Sequence, residues 1–155
     1  MPEYQALALG TSYALGTFND NFFKQAGLLL AVTTGNAVLQ SQVTFLFALP
    51  FVLFSAWSGW LADRFAKKSL VICAKTLELA AMLAGAWGMV TLDWNWMLAM
   101  TFCMGLSSTL FSPALNGSIP ELFPVSQVPR IIALFKLGTT ASILFGVFLA
   151  GIALD

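Results

Sequence analysis

In a chain that is only 9% charged, two clusters hold residues able to do chemistry. The first is Asn19-Asp20-Asn21-Phe22-Phe23-Lys24-Gln25, which puts a carboxylate, an ammonium and three carboxamides in seven positions. The second is Gly59-Trp60-Leu61-Ala62-Asp63-Arg64-Phe65-Ala66-Lys67-Lys68, with one acid and three bases in its last six positions. Such groups recognise charge and form exchangeable ion pairs. They are a poor set for bond-making. The chain has no His, no glycine-rich phosphate loop and no nucleophile elbow. An embedded enzyme would have to work with Asp20, Lys24, Glu78 and Glu121 alone. Cys73 and Cys103 lie in separate apolar runs and read as small hydrophobes rather than a disulfide or metal site. No catalytic residue, metal or cofactor is expected.

The elements that position these clusters follow from composition. The 155 residues are 59% hydrophobic, with a mean hydropathy of +0.85. A soluble domain is roughly 45–50% apolar and about 25% charged. The solvent for this chain is therefore the bilayer, and the reading is an all-α integral membrane protein. Seven basic and seven acidic residues cancel, and no basic face is available for nucleic acid. A removable signal peptide is not expected, because Glu3 stands where basic residues would and charge interrupts the first apolar run.

A spanning helix needs ~20 mostly apolar residues. Five stretches qualify, at about 7–32, 43–62, 70–92, 96–119 and 131–154, as one transmembrane region. Their short connections predict antiparallel neighbours lying side by side. The second connection carries Arg64, Lys67 and Lys68, with Lys75 beyond it. The fourth carries Arg130, with Lys136 a turn or so into the helix. The connections at 33–42 and 91–95 have no Lys or Arg. Basic loops mark the cytoplasmic side, so the N-terminus is expected there and Asp155 outside. Trp94 and Trp96 then fall at the outer interface.

Within the first span, spacing of four puts Asp20 and Lys24 on one face, continued by Tyr13 and Thr17. Charges at mid-bilayer cost at least ~2.5–3.5 kcal/mol each and persist where they meet a cavity or a partner. Two readings stand: an internal Asp20–Lys24 pair that makes insertion tolerable, or a polar stripe along a substrate path. Asn19, Asn21 and Gln25 add hydrogen-bonding capacity that favours the path. Pro50 is expected to kink the second span. Lys75 and Glu78 sit near the cytoplasmic end of the third, able to pair, to snorkel or to approach the charged loop, and Gly85 and Gly88 allow close packing farther on. In the fourth, Gly105, Ser108, Ser112 and Asn116 form a small polar face, bent by Pro113, that suits helix packing or a cavity wall. In the fifth, Gly138, Ser142, Gly146 and Ala150 form a packing stripe. Between these two spans, Pro120, Pro124 and Pro129 suggest a stiff turn, with Glu121 and Arg130 free to bond each other or the earlier loop.

The loop Gly59-x-Leu61-Ala62-Asp63-Arg64-x-x-Lys67-Lys68 resembles the cytoplasmic loop of the major facilitator superfamily, G-x-L-A-D-R-x-G-R-K, in identity, spacing and place between spans two and three. Ala66 replaces the usual Gly and Lys67 the usual Arg. Within the superfamily, Gly16-Thr-Phe-Asn-Asp20-Asn-Phe-Phe-Lys24-Gln and Phe111-Ser-Pro-Ala-Leu-Asn116-Gly-Ser-Ile-Pro-Glu121-Leu resemble the lysophospholipid transporter group, some of whose members are fused to acyltransferase domains. The resemblance implies the N-terminal part of a two-half bundle with substrate at the midplane. On that basis the chain is expected to be incomplete, lacking the C-terminal half. It also implies inward movement of a lysophospholipid or other amphiphile across a bacterial inner membrane. The substrate path would use Asn19, Asp20, Asn21, Lys24, Gln25, Ser112 and Asn116. Gly59, Asp63, Arg64, Lys67 and Lys68 would form the conformational gate, supported by Lys75, Glu78, Glu121 and Arg130. A carrier of another amphiphile, or a non-transporting scaffold, remains an alternative.

Overall fold

The computed structural model describes residues 2–153, so the expected outer position of Asp155 lies outside the described residues. Five helices account for nearly all of them: α1 (Pro2–Thr33), α2 (Ala37–Arg64), α3 (Lys67–Thr91), α4 (Trp94–Leu122) and α5 (Val128–Ala153). Helices α2 to α5 are each long and apolar enough to cross a membrane. At 32 residues α1 runs ~48 Å, ample for a ~30 Å hydrocarbon core, although the 19–25 cluster interrupts its apolar surface.

The helices run longer than hydropathy predicts, because capping rather than apolarity ends them. The first connection is residues 34–36, not 33–42. Gly35 turns the chain with φ +67°, and the Asn36 side chain accepts from the Val38 and Leu39 N–H groups at 3.0 and 3.4 Å. Between α3 and α4, Leu92 adopts the left-handed conformation (φ 54°) and Asp93 caps α4 by accepting from Asn95 N–H at 2.9 Å. Only Phe65 and Ala66 separate α2 from α3. Of the three prolines expected to stiffen the last turn, only Pro124 lies in it. Pro120 belongs to the last turn of α4, and Pro129 to the first turn of α5, where a missing N–H costs nothing.

The packing order is not the chain order. Both α2 and α3 lie along α4, and α5 lies along α1, while α2 barely touches α3 and α4 barely touches α5. The expectation that consecutive spans lie side by side fails for these two pairs. A short connection brings helix ends together but does not make their lengths pack. Close approach is set by residues without bulk. Gly85 and Gly88 of α3 leave room for Met100, Trp96 and Met97 of α4. Gly105 of α4 receives the Phe47 backbone and Pro50 ring of α2, and Gly146 of α5 receives the Phe18 and Phe22 backbone of α1. The fifth-span stripe is thus used only in part: Gly146 and Ala150 are buried, whereas a Cβ on Gly138 would meet nothing within 4 Å.

Helix α4 is the axis of the bundle. Half of its most apolar stretch is buried, against 11% in α2 and α5 and 22% in α3. Met100 and Met104 pack with Ala81 on one side, and Phe111 and Leu115 with Ala74 nearer the other end. Large apolar side chains such as Leu53, Trp57, Leu83, Trp87, Leu144 and Phe148 point outward, as a lipid-facing surface requires. Gly105→Ala is expected to cost about 1–3 kcal/mol, because the obstructing atoms are backbone and cannot swing aside. Gly138→Ala should be neutral or stabilise by up to ~1 kcal/mol. Thermal unfolding of the two variants in detergent checks this, and equal effects would contradict it.

Candidate functional site

The polar face of α1 looks into a cavity of about 300 Å³ to which all five helices contribute. Its floor is Gly16, Thr17, Asp20, Asn21 and Lys24 of α1. Ser108 and Ser112 of α4 and the Lys75 and Glu78 side chains of α3 form its polar walls, and Phe47 and Phe51 of α2, Phe111 of α4 and Ile143 of α5 its apolar ones. A charged floor under aromatic walls suits a ligand with a polar head and an apolar body.

Asp20 and Lys24 share the cavity but do not bond each other. Asp20 is only 6% exposed, and its Oδ2 accepts from the Ser108 hydroxyl of α4. Its Oδ1 is buried and has no hydrogen-bond partner among the described residues. Lys24 Nζ donates to Asn21 Oδ1 at 3.1 Å and lies 4.7 Å from the Phe47 ring centroid. Asn21 is itself fixed by donating to the Thr17 carbonyl at 2.8 Å. The internal pair read from i,i+4 spacing is therefore replaced by two separately held charges, because a serine on another helix and an asparagine one turn away offer better geometry.

Of the three openings for Lys75 and Glu78, pairing is the one taken. They bond each other at 2.6 Å in the cavity wall, with Lys75 Nζ 4.6 Å from the Phe111 ring centroid. They pack against α1 where Gly16 has no side chain; a Cβ there would come 3.2 Å from both Glu78 carboxylate oxygens. Two carboxylates and two ammonium groups thus border one cavity. Asn19 and Gln25 do not line it, and Asn116 lines a smaller neighbouring hollow instead. Ser108 has the strongest link to Asp20, and its place on the stripe with Gly105 and Ser112 was the only sequence signal for it. That stripe serves two purposes, since Gly105 packs against α2 while Ser108 and Ser112 face the cavity.

The second charged cluster lies at the end of the bundle where α2 passes into α3. Lys67 pairs with Glu121 at the end of α4, so Glu121 bonds the earlier connection and not Arg130. Gly117 makes this possible, since a Cβ there would come 2.9 Å from Lys67 Cε. Ala62, Asp63, Lys67 and Glu121 border a polar hollow of about 290 Å³. Arg64 lies 5.3 Å from the Trp60 ring centroid. Asp63, Lys68 and Arg130 enter no ion pair among the described residues, and Gly59 has open space beside it.

Among known protein families, the Major Facilitator Superfamily model matches residues 6–155. The uncharacterized MFS-type transporter YfiS of Bacillus subtilis is 29% identical over 110 residues, covering 68% of this chain and 24% of that protein. The lysophospholipid transporter LplT of Salmonella heidelberg is 31% identical over 146 residues, covering 91% of this chain and 34% of the relative. LplT of Salmonella schwarzengrund is 31% identical over 142 residues with the same coverage. The chain thus spans about a third or less of the length of these relatives. No solved structure matches it. The family match takes in every one of the five helices, and on it the chain belongs to the Major Facilitator Superfamily, a family of membrane transporters.

Proposed function

We propose that this chain is the N-terminal part of a secondary transporter that moves lysophospholipid across a bacterial inner membrane, its N-terminus and basic connections facing the cytoplasm. One observation carries the reading: a single cavity is lined by a carboxylate with one unpartnered oxygen, an ammonium with no carboxylate bonded to it, and an aromatic wall. A zwitterionic headgroup needs the first two, with the Asp20 carboxylate meeting its ammonium and Lys24 its phosphate. An acyl chain needs the third. The likeness to proteins named lysophospholipid transporter supports the substrate class.

In this reading the Lys75–Glu78 pair keeps the remaining charges of the wall neutral without occupying Asp20 or Lys24. The Lys67–Glu121 pair ties the α2–α3 connection to the end of α4, and Asp63 beside it is available to a second half of the carrier. Alternating access then requires that second half to rock against this bundle. A second reading, a proton-coupled carrier of another amphiphile, is favoured by the same orphaned Asp20 oxygen, which can hold a proton as well as accept from an ammonium. Collapse of uptake with the proton gradient, without competition by lysophospholipid, would select it.

Asp20→Asn and Lys24→Gln should each lower lysophospholipid uptake by about tenfold or more while leaving membrane insertion unchanged, since each removes a charge-assisted hydrogen bond worth about 1.5–3 kcal/mol. Uptake assays on the intact protein in proteoliposomes check this, and unchanged uptake in both would remove the cavity from the mechanism. Asp63→Asn is expected to lower the maximal rate several-fold with little change in half-saturating substrate concentration. A loss of affinity alone would contradict the gate.

A further inference from the structure

The charged cavity has a smaller neighbour with which it shares two lining residues. Tyr13 and Ser112 line the cavity on one side and, on the other, line a second hollow of about 60 Å³ whose remaining polar residues are Asn116 and Lys136. The Tyr13 ring packs on Phe111 with centroids 5.7 Å apart, so an aromatic pair stands between the two spaces. Ile119 and Ile132 complete the hollow, placing it close to the connection between α4 and α5. Lys136 is the ninth residue of α5, roughly 12 Å in from its start at 1.5 Å per residue. Its ammonium enters no ion pair and no side-chain hydrogen bond among the described residues. Lys136 and Asn116 are both exposed in this chain, so the hollow is open on that side, and the Lys136 ammonium is free to reach outward or to meet a ligand there.

We propose that Tyr13, Ser112, Asn116 and Lys136 form a second, smaller binding station for a phosphate-bearing anion, in series with the Asp20–Lys24 cavity and on its basic-loop side. The inference rests on the reading of that cavity as a lysophospholipid site and adds the next stop on the route. Lys136 supplies the charge, and the Tyr13 and Ser112 hydroxyls and the Asn116 amide supply donors. The hollow has room for the phosphate group and not for an acyl chain, so the rest of the lipid must stay outside, along the partly exposed Ile132 edge. The Lys75–Glu78 pair in the cavity wall is internally matched, and Lys136 is the one charged residue that lines the hollow.

Cysteine protection in the intact protein tests this. In a Cys73→Ser, Cys103→Ser background in phosphatidylcholine nanodiscs, Asn116→Cys reports on the station and Thr17→Cys on the cavity, each labelled with a water-soluble maleimide. Lysophosphatidylethanolamine should slow labelling of Asn116→Cys about tenfold, Lys136→Gln should remove that protection, and Lys136→Arg should keep it. Protection by inorganic phosphate alone also supports the station but makes a free anion its occupant. Equal protection by an uncharged monoacylglycerol, or protection that survives Lys136→Gln, overturns the proposal. If Thr17→Cys is protected and Asn116→Cys is not, the station falls and the cavity reading stands. If neither is protected, both fall.

Discussion

A carboxylate sunk in a membrane-spanning helix must be met by something, and the bundle is arranged around how Asp20 is met. One oxygen takes the Ser108 hydroxyl of α4 and the other is buried without a partner. Satisfying half of the group locks α1 against α4, and leaving half unsatisfied gives the cavity an attraction that water or a ligand must answer. Full pairing with Lys24 would have balanced the charge and left nothing to recognise. Separate anchoring keeps both charges available, with Lys24 steadied by Asn21 and the Phe47 ring.

Bulk-free residues decide where the helices lie and therefore where the charges meet. Gly105 lets α2 come close enough for Phe47 to reach Lys24, and Gly16 leaves room on α1 for the Lys75–Glu78 pair. Gly146 draws α5 onto α1, which brings Ile143 to the cavity edge. Packing within a membrane has little hydrophobic driving force, so close backbone approach carries much of the specificity. In this chain the same approach also shapes the binding surface.

Much of this could be read from residues alone. The number and order of the helices, the close-packing role of Gly85 and Gly88, and the joint use of Tyr13, Thr17, Asp20 and Lys24 on one face all follow from hydropathy and a repeat of 3.6. Which helix packs on which did not follow, because a connection of two residues between α2 and α3 constrains their ends and not their axes. The partner of Asp20 was hidden for a similar reason. Spacing along one helix points to Lys24, whereas the hydroxyl that bonds it lies on another helix, and no local pattern links the two. Spacing alone leaves Lys75 and Glu78 free to pair or to reach toward the loop, because hydropathy starts the third span late. The helix starts at Lys67, which carries them a further turn into the bundle.

The pairing of α1 with α4 and α5 also bears on how the molecule is made. Asp20 and Ser108 are separated by 88 positions. At ~5–20 residues per second, the first helix leaves the ribosome about 4–18 s before its partner exists. During that interval the acid has no serine to meet, although Phe47 of α2 follows Lys24 early, and the insertion machinery or bound water must shelter the carboxylate. Assembly of this bundle is therefore a waiting problem, in which the least lipid-compatible segment arrives first and is relieved late.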